Sequence, residues 1–216
     1  MLTLALDTAT KACSVALVQD GTVLAAYDIS INLTHSEGLM PQIDQMFRRT
    51  GLPKGKVDRI AVSIGPGSFT GLRIGLAAAE AMAYAWQCGV SGVNTLEGMA
   101  WNVPVEGIVL APVLDAQKGN VYTAFYTWQG GALQCLTDVR MLSGSELLRQ
   151  AGELDRPVLL LGECLRLAKR ESLPQNVTVA AERKDMLSGE GLFRLRPFYY
   201  RKSEAEELWE KKHPAG

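Results

Sequence analysis

The chain has 216 residues, 47% of them hydrophobic and 21% charged, with a net charge of −1 and a pI near 6.2. This is globular composition, which excludes extensive disorder, and the length allows one large core or two small ones. The near-neutral balance argues against a protein that grips nucleic acid unaided, because neutralising phosphates takes a surplus of Lys and Arg, although a local patch can hide in a neutral average.

Cys13, Cys88, Cys135 and Cys164 stand far apart with no C-x-x-C pair, the pattern of reduced thiols in a reducing compartment. The opening run Met1-Leu2-Thr3-Leu4-Ala5-Leu6-Asp7 lacks a basic flank and a long apolar segment, so it reads as a buried strand and not a signal peptide. No stretch approaches the roughly 20 apolar residues of a membrane helix. The expectation is a soluble cytoplasmic protein.

In chain order, 2–8, 12–19 and 22–28 read as strands, with the hairpin signal Asp20-Gly21 between the second and third. Thr34-His35-Ser36-Glu37 has capping-box form and precedes Leu39, Met40, Ile43, Met46 and Phe47 at helical spacing, with Pro41 expected to bend or roughen the first turn. A strand at 58–64 runs into the loop Gly65-Pro66-Gly67-Ser68-Phe69-Thr70-Gly71, and a helix is predicted over 70–87 with Gly89 just past its end. A strand at 90–93 and a helix at 95–101 complete the first half. The second half reads as strands at 108–115 and 121–128, a Gly130-Gly131 turn, a strand at 132–141, a helix at 145–152, a strand at 157–161 and a helix at 163–171. Ser203-x-x-Glu206 opens a terminal helix with Leu208 and Trp209 as its apolar contacts.

An internal echo organises these elements. Leu6-Asp7-Thr8-Ala9-Thr10-Lys11 precedes an alternating strand, a glycine turn and another strand, and Leu114-Asp115-Ala116-Gln117-Lys118-Gly119 does the same in the second half. Each half opens with a strand ending in Asp followed by a meander, which predicts a duplicated α/β architecture of two lobes. The expected division is 1–103 for the first lobe, with a terminal helix at about 203–212 packing back on it, and 104–202 for a smaller second lobe.

The segments that could carry chemistry are few. The glycine-rich loop at 65–71 could aim amides at an anion from a helix N-terminus, but it is neither a Walker loop nor a dinucleotide fingerprint, and a simple tight turn explains it equally well. Gly67, Gly71, Gly75, Ala79 and Ala83 recur every fourth residue, and glycine within a helix costs about 1 kcal/mol, so something must approach closely. Two readings stay open: packing within the chain, or a subunit interface formed with the 35–50 helix. Asp7, Thr8 and Asp115 occupy the places where a two-lobed phosphotransferase clasps nucleotide phosphates and metal, yet Asp-Thr-Ala-Thr contains no glycine. The only candidate for an adenine pocket, Leu161-Gly162-Glu163-Cys164, has a single one.

His35 and His213 are the only histidines and form no metal-ligating spacing; His35 reads as a cap or surface residue. No G-x-S-x-G elbow exists for a serine hydrolase. Phe198-Tyr199-Tyr200-Arg201-Lys202 could stack a base, but a terminal anchor is the commoner use, and Glu204, Glu206 and Glu207 follow at once.

Leu4-Ala5-Leu6-Asp7-Thr8, the segment from Gly65 to Gly75, Leu114-Asp115-Ala116 and Pro197-Phe198-Tyr199-Tyr200-Arg201 together resemble the TsaB (YeaZ) family of the bacterial tRNA threonylcarbamoyladenosine machinery. The resemblance spans nearly the whole chain and is most specific at Gly65–Gly75. It implies an actin-like fold, akin to sugar kinases, Hsp70 and ribonuclease H, and a non-catalytic scaffold for a related TsaD-like transferase, whose metal-holding histidine pair this sequence lacks. It further implies a TsaE-like ATPase as second partner, ATP used by the complex and not by this chain alone, tRNA met only through the complex, and a homodimer when the partner is absent. The expected interface lies on the helices 35–50 and 70–87, through Leu39, Ile43, Met46, Gly71, Gly75, Ala79 and Ala83. The alternative is an enzyme in its own right, either a nucleotide-dependent phosphotransferase using Asp7 and Asp115 or a glycoprotease-like metallopeptidase.

Overall fold

In the computed structural model, residues 1–29, 35–164 and 172–180 are described. The first half forms a five-stranded sheet from β1 (Leu2–Asp7), β2 (Cys13–Gln19), β3 (Thr22–Ile29), β4 (Arg59–Gly65) and β5 (Gly89–Asn94). Its spatial order is β3-β2-β1-β4-β5, antiparallel on the meander side of β1 and parallel beyond it. The hairpin turn takes the left-handed conformation at both Asp20 and Gly21, which matches the twist of the flanking strands.

Leu2, Leu4 and Leu6 share one face of β1 by strict alternation, and with Val15, Leu17, Ile60 and Val62 they form one core. Two helices cover that face: α1 (His35–Thr50) and α2 (Phe69–Trp86). Each lays an apolar stripe on the sheet, and Phe47 of α1 meets Trp86 of α2 edge to face, with ring centroids 5.7 Å apart. Ser68 caps α2 by accepting from Gly71 N, and Pro41 lies inside α1. The left-handed C-cap of α2 falls on Gln87, while Gly89 already begins β5.

The second half repeats the plan with β6 (Val109–Asp115), β7 (Asn120–Thr123), β8 (Tyr126–Gln129), β9 (Ala132–Cys135), β10 (Arg140–Ser143), β11 (Val158–Gly162) and β12 (Val177–Val179). The order β10-β7-β6-β11-β12 has the same parallel and antiparallel pattern as the first sheet, and the second sheet adds the β8-β9 hairpin, with β8 paired to β6. The fold is the duplicated actin-like, ribonuclease H-like α/β architecture. Helix α3 (Thr95–Trp101), capped by Asn94, contacts strands of both sheets. Helix α4 (Gly144–Gly152), capped by Ser143, packs Leu147, Leu148 and Ala151 against the opposite face of the second sheet.

Three sequence expectations change here. The single strand at 121–128 divides into β7 and β8 because Phe125 leaves the ladder: its N–H donates to Thr137 Oγ1 at 3.0 Å and its carbonyl accepts from Leu136 N at 2.7 Å. The strand at 132–141 divides for the same reason, since residues 136 and 137 supply those partners. Strand β12 and a 3-10 turn at Lys54–Lys56 were not foreseen. The helix expected at 163–171 lies mostly outside the described residues, and the Phe198–Lys202 cluster and the terminal helix at 203–212 lie wholly outside them.

Candidate functional site

The end of β1 is where a nucleotide-binding member of this architecture would receive phosphate or metal. Asp7 lies there with a side chain only 6% exposed. Its Oδ1 accepts two hydrogen bonds, from Ala9 N at 2.8 Å and from Ser63 Oγ at 2.7 Å. Burial pushes the carboxyl above its ordinary value of 3.8; the two hydrogen bonds and the charge of His35 pull the other way, and Asp28 adds to the rise. The carboxylate is thus spent on holding its own turn and the neighbouring strand.

Thr8 is fully buried, and its hydroxyl donates to Gly71 O at 2.8 Å. Ser68 N donates to Ala9 O at 2.7 Å, fastening the start of α2 to the same loop. The spacing of four now has its cause. A Cβ at Gly67 would fall well inside 3.0 Å of Ala9 O, one at Gly71 inside 3.0 Å of Thr8 O, and one at Gly75 inside 3.0 Å of Thr8 Oγ1. Alpha-helical periodicity aligns Gly71 and Gly75 on one face of α2, Gly67 precedes the helix, and all three lie directly on the loop after β1. Helix α2 therefore packs in direct contact with the loop after β1.

His35 joins the same cluster: its Nε2 lies 2.9 Å from Thr10 O. The side chain therefore ties α1 to the 8–10 loop and is neither a helix cap nor a freely solvated surface group. Nδ1 of His35 and the amide of Gln42 are buried with no hydrogen-bond partner among the described residues. Among the described residues no three His, Cys, Asp or Glu side chains gather in a way that could hold a metal ion.

In the second lobe Asp115 repeats the turn chemistry of Asp7, its Oδ1 accepting from Gln117 N at 2.7 Å. Its own N–H donates to Glu163 Oε2 at 2.8 Å. Here the Asp is exposed, and the loop passes through left-handed Gln117, Lys118 and Gly119. Glu163, considered from sequence as part of an adenine pocket, is a structural acceptor for the β6 terminus.

The seven residues expected at a partner interface are all buried within this chain. Leu39, Ile43, Met46, Ala79 and Ala83 belong to the core beneath α1 and α2, while Gly71 and Gly75 face Thr8. The structure places them inside the chain, and the small size of Gly71, Gly75, Ala79 and Ala83 serves contact within it. The side chains that α1 and α2 do present outward include Met40 at 49% exposure and Tyr84 at 82%, with Ala77 and Ala81 beside Tyr84 on the same helix face. Ser63 was missed in the sequence; the available signal was a lone hydroxyl in the apolar run of β4, at a position that alternation places on the face of Asp7.

Comparison with known proteins gives a consistent pattern. The family described as TsaD: tRNA N6-adenosine threonylcarbamoyltransferase matches residues 30–193. The tRNA threonylcarbamoyladenosine biosynthesis protein TsaB of Bacillus subtilis is 29% identical, with 97% of this chain and 98% of that protein covered. The TsaB of Escherichia coli is 40% identical over 129 residues, 58% of this chain and 55% of that protein. Among solved structures, YeaZ from Pseudomonas aeruginosa superposes with a TM-score of 0.70 at 30% identity, covering 82% of each chain. A crystal structure of an uncharacterized protein with similarity to peptidase YeaZ from Pseudomonas aeruginosa reaches a TM-score of 0.76 at 27% identity, covering 93% of this chain and 99% of the other. No helix among the described residues is long and apolar enough to cross a membrane.

Proposed function

The chain belongs to the TsaB (YeaZ) family of tRNA threonylcarbamoyladenosine biosynthesis proteins, and on that footing we propose that it acts there as a non-catalytic supporting subunit. It binds a TsaD-like transferase, works with a TsaE-like ATPase, and meets tRNA within that assembly in the cytoplasm. ATP is consumed by the complex and not by this chain alone. In the absence of the partner the same surface pairs two copies of the chain.

One observation carries this reading: the loop after β1 is occupied from within. Asp7 is committed to Ala9 and Ser63, while Gly67 packs on Ala9 and Gly71 and Gly75 of α2 pack on Thr8. A metal-holding Asp needs an exposed, ionised carboxylate, and a phosphate needs free amides in front of it. The first lobe offers neither at this point. The partner surface is assigned to the outward faces of α1 and α2, around Met40, Ala77, Ala81 and Tyr84, where large apolar side chains stand in solvent beside small ones.

The experiment is calorimetric titration of the purified chain with Mg-ATP, paired with co-purification against the TsaD-like subunit. The reading predicts no saturable ATP binding and a stoichiometric complex. Saturable ATP binding by the chain alone, lost in Asp7→Ala, would establish the phosphotransferase alternative instead.

A further inference from the structure

Residues 48–59, Arg-Arg-Thr-Gly-Leu-Pro-Lys-Gly-Lys-Val-Asp-Arg, concentrate charge that the composition conceals. Five cations (Arg48, Arg49, Lys54, Lys56 and Arg59) stand against one carboxylate, Asp58, a net +4 in a chain of net −1; the other 204 residues therefore carry −5. The segment spans the last turn of α1, the 3-10 turn and the start of β4, at the end of the first sheet opposite Asp7.

Three features leave this charge unspent. Asp58 is occupied: its Oδ2 accepts from Leu2 N at 2.6 Å, while its backbone bonds to Leu2 and Gly89, which fixes the segment against the sheet. Arg48 and Lys54 share a single carboxylate, Asp44, at 2.8 and 2.9 Å. No carboxylate of the described residues pairs with Arg49, Lys56 or Arg59. Favourable interaction with a helix C-terminus accounts for Arg48 and Arg49; it does not account for Lys54, Lys56 and Arg59, which lie beyond the helix.

The chemistry of the patch selects its partner. A protein-binding surface is built around exposed aromatic or aliphatic anchors. Here Val57 is buried and Leu52 packs against the core, so the exposed residues are Arg48, Arg49, Lys54 and Lys56 with Pro53 and Asp58, Arg59 is half-buried, and exposed Gly51 and Gly55 admit close approach of a backbone. Guanidinium and ammonium groups without carboxylate partners suit phosphate oxygens. We infer that residues 48–59 form a contact site for the phosphate backbone of RNA, positioning a tRNA on the assembly without reading its sequence. This rests on the family reading above and adds to it a surface through which this chain itself touches the nucleic acid.

The test is fluorescence anisotropy of a labelled tRNA transcript with the full-length chain, between about 50 and 200 mM salt, for wild type, Arg49→Gln/Lys56→Gln and a control, Arg156→Gln. Each phosphate contact contributes about −0.7 to −0.9 to the slope of log K against log salt. Removal of two contacts should flatten the slope by about 1.4 to 1.8, and weaken binding at 50 mM by about tenfold more than at 200 mM. Arg156→Gln changes the net charge in the other lobe and should leave the slope as it is. The inference is overturned if the wild-type chain shows no salt-dependent tRNA binding, if the double variant matches wild type, or if all three proteins shift alike. It is also overturned if the double variant keeps its tRNA affinity but loses the TsaD-like subunit on co-purification, which would make the patch a protein-docking surface. Failure of the family reading looks different: the wild-type chain then retains no TsaD-like subunit, whatever its affinity for tRNA.

Discussion

Replacing Gly71 with alanine tests the contact between α2 and the loop after β1. In an exposed helix the change would gain about 1 kcal/mol from propensity. Here the new methyl meets the Thr8 carbonyl oxygen well inside 3.0 Å and His35 Cδ2 at 3.2 Å, and the Thr8 obstacle is backbone that cannot rotate away. Forcing α2 outward costs about 1–3 kcal/mol in overpacking. The same movement stretches the buried bond from Thr8 Oγ1 to Gly71 O, now 2.8 Å, at a further cost of about 1–3 kcal/mol. Net destabilisation of about 3 kcal/mol follows, a loss of roughly 6–12 °C in melting temperature for a chain of this size. Urea and thermal unfolding followed by circular dichroism measure it. Gly55→Ala is the matched control, because its Cβ would meet nothing within 4 Å, and it should stay within about 0.5 kcal/mol of wild type. If Gly71→Ala is as stable as wild type, the helix does not lie on the loop and the occupied-site argument fails.

Ala79→Arg should prevent folding, since a charged chain would enter a fully buried position at a cost of at least about 4 kcal/mol; recovery of a soluble, cooperatively unfolding protein would contradict the core assignment. Tyr84→Ala should leave stability within about 0.5 kcal/mol while weakening the TsaD-like complex at least tenfold in a binding titration; unchanged affinity would move the interface elsewhere. Asp7→Asn should fold, because both hydrogen bonds use one oxygen that an amide can supply, whereas Asp7→Ala should cost about 1–3 kcal/mol. The folded carboxyl of Asp7 titrates above 3.8, so the folded state holds its proton longer than the unfolded chain. Its contribution to stability is therefore present at low pH and is lost as pH rises from about 3.8 through the raised value. Asp7→Asn should remove that loss relative to wild type in denaturation measured across the range, and an unchanged pH profile would refute it.

Much of the architecture was legible because it rests on local signals. The alternation of Leu2, Leu4 and Leu6, the Asp20-Gly21 turn and the repeated Leu-Asp at 6–7 and 114–115 are all written in adjacent residues, and each appears in the structure. Periodicity also showed correctly that Gly71 and Gly75 share a helix face needing close approach, although Gly67 lies before the helix. It could not say what approaches, because Thr8 and Ala9 lie about sixty residues away and come into place only through the parallel pairing of β1 with β4. The same limit hid Ser63, whose partner is fixed by that pairing, and the break at Phe125, which depends on Leu136 and Thr137. The charge at 48–59 was masked by averaging over the chain.

The central claim, that this chain supports catalysis without performing it, is tested most directly by reconstituting threonylcarbamoyl transfer to tRNA from purified components and leaving this chain out, or supplying it as Asp7→Asn. The account predicts that omission abolishes or severely slows turnover, that Asp7→Asn restores it to the wild-type rate, and that this chain alone transfers nothing. Full activity without the chain, or loss of activity in a folded Asp7→Asn that still binds the TsaD-like subunit, would contradict it.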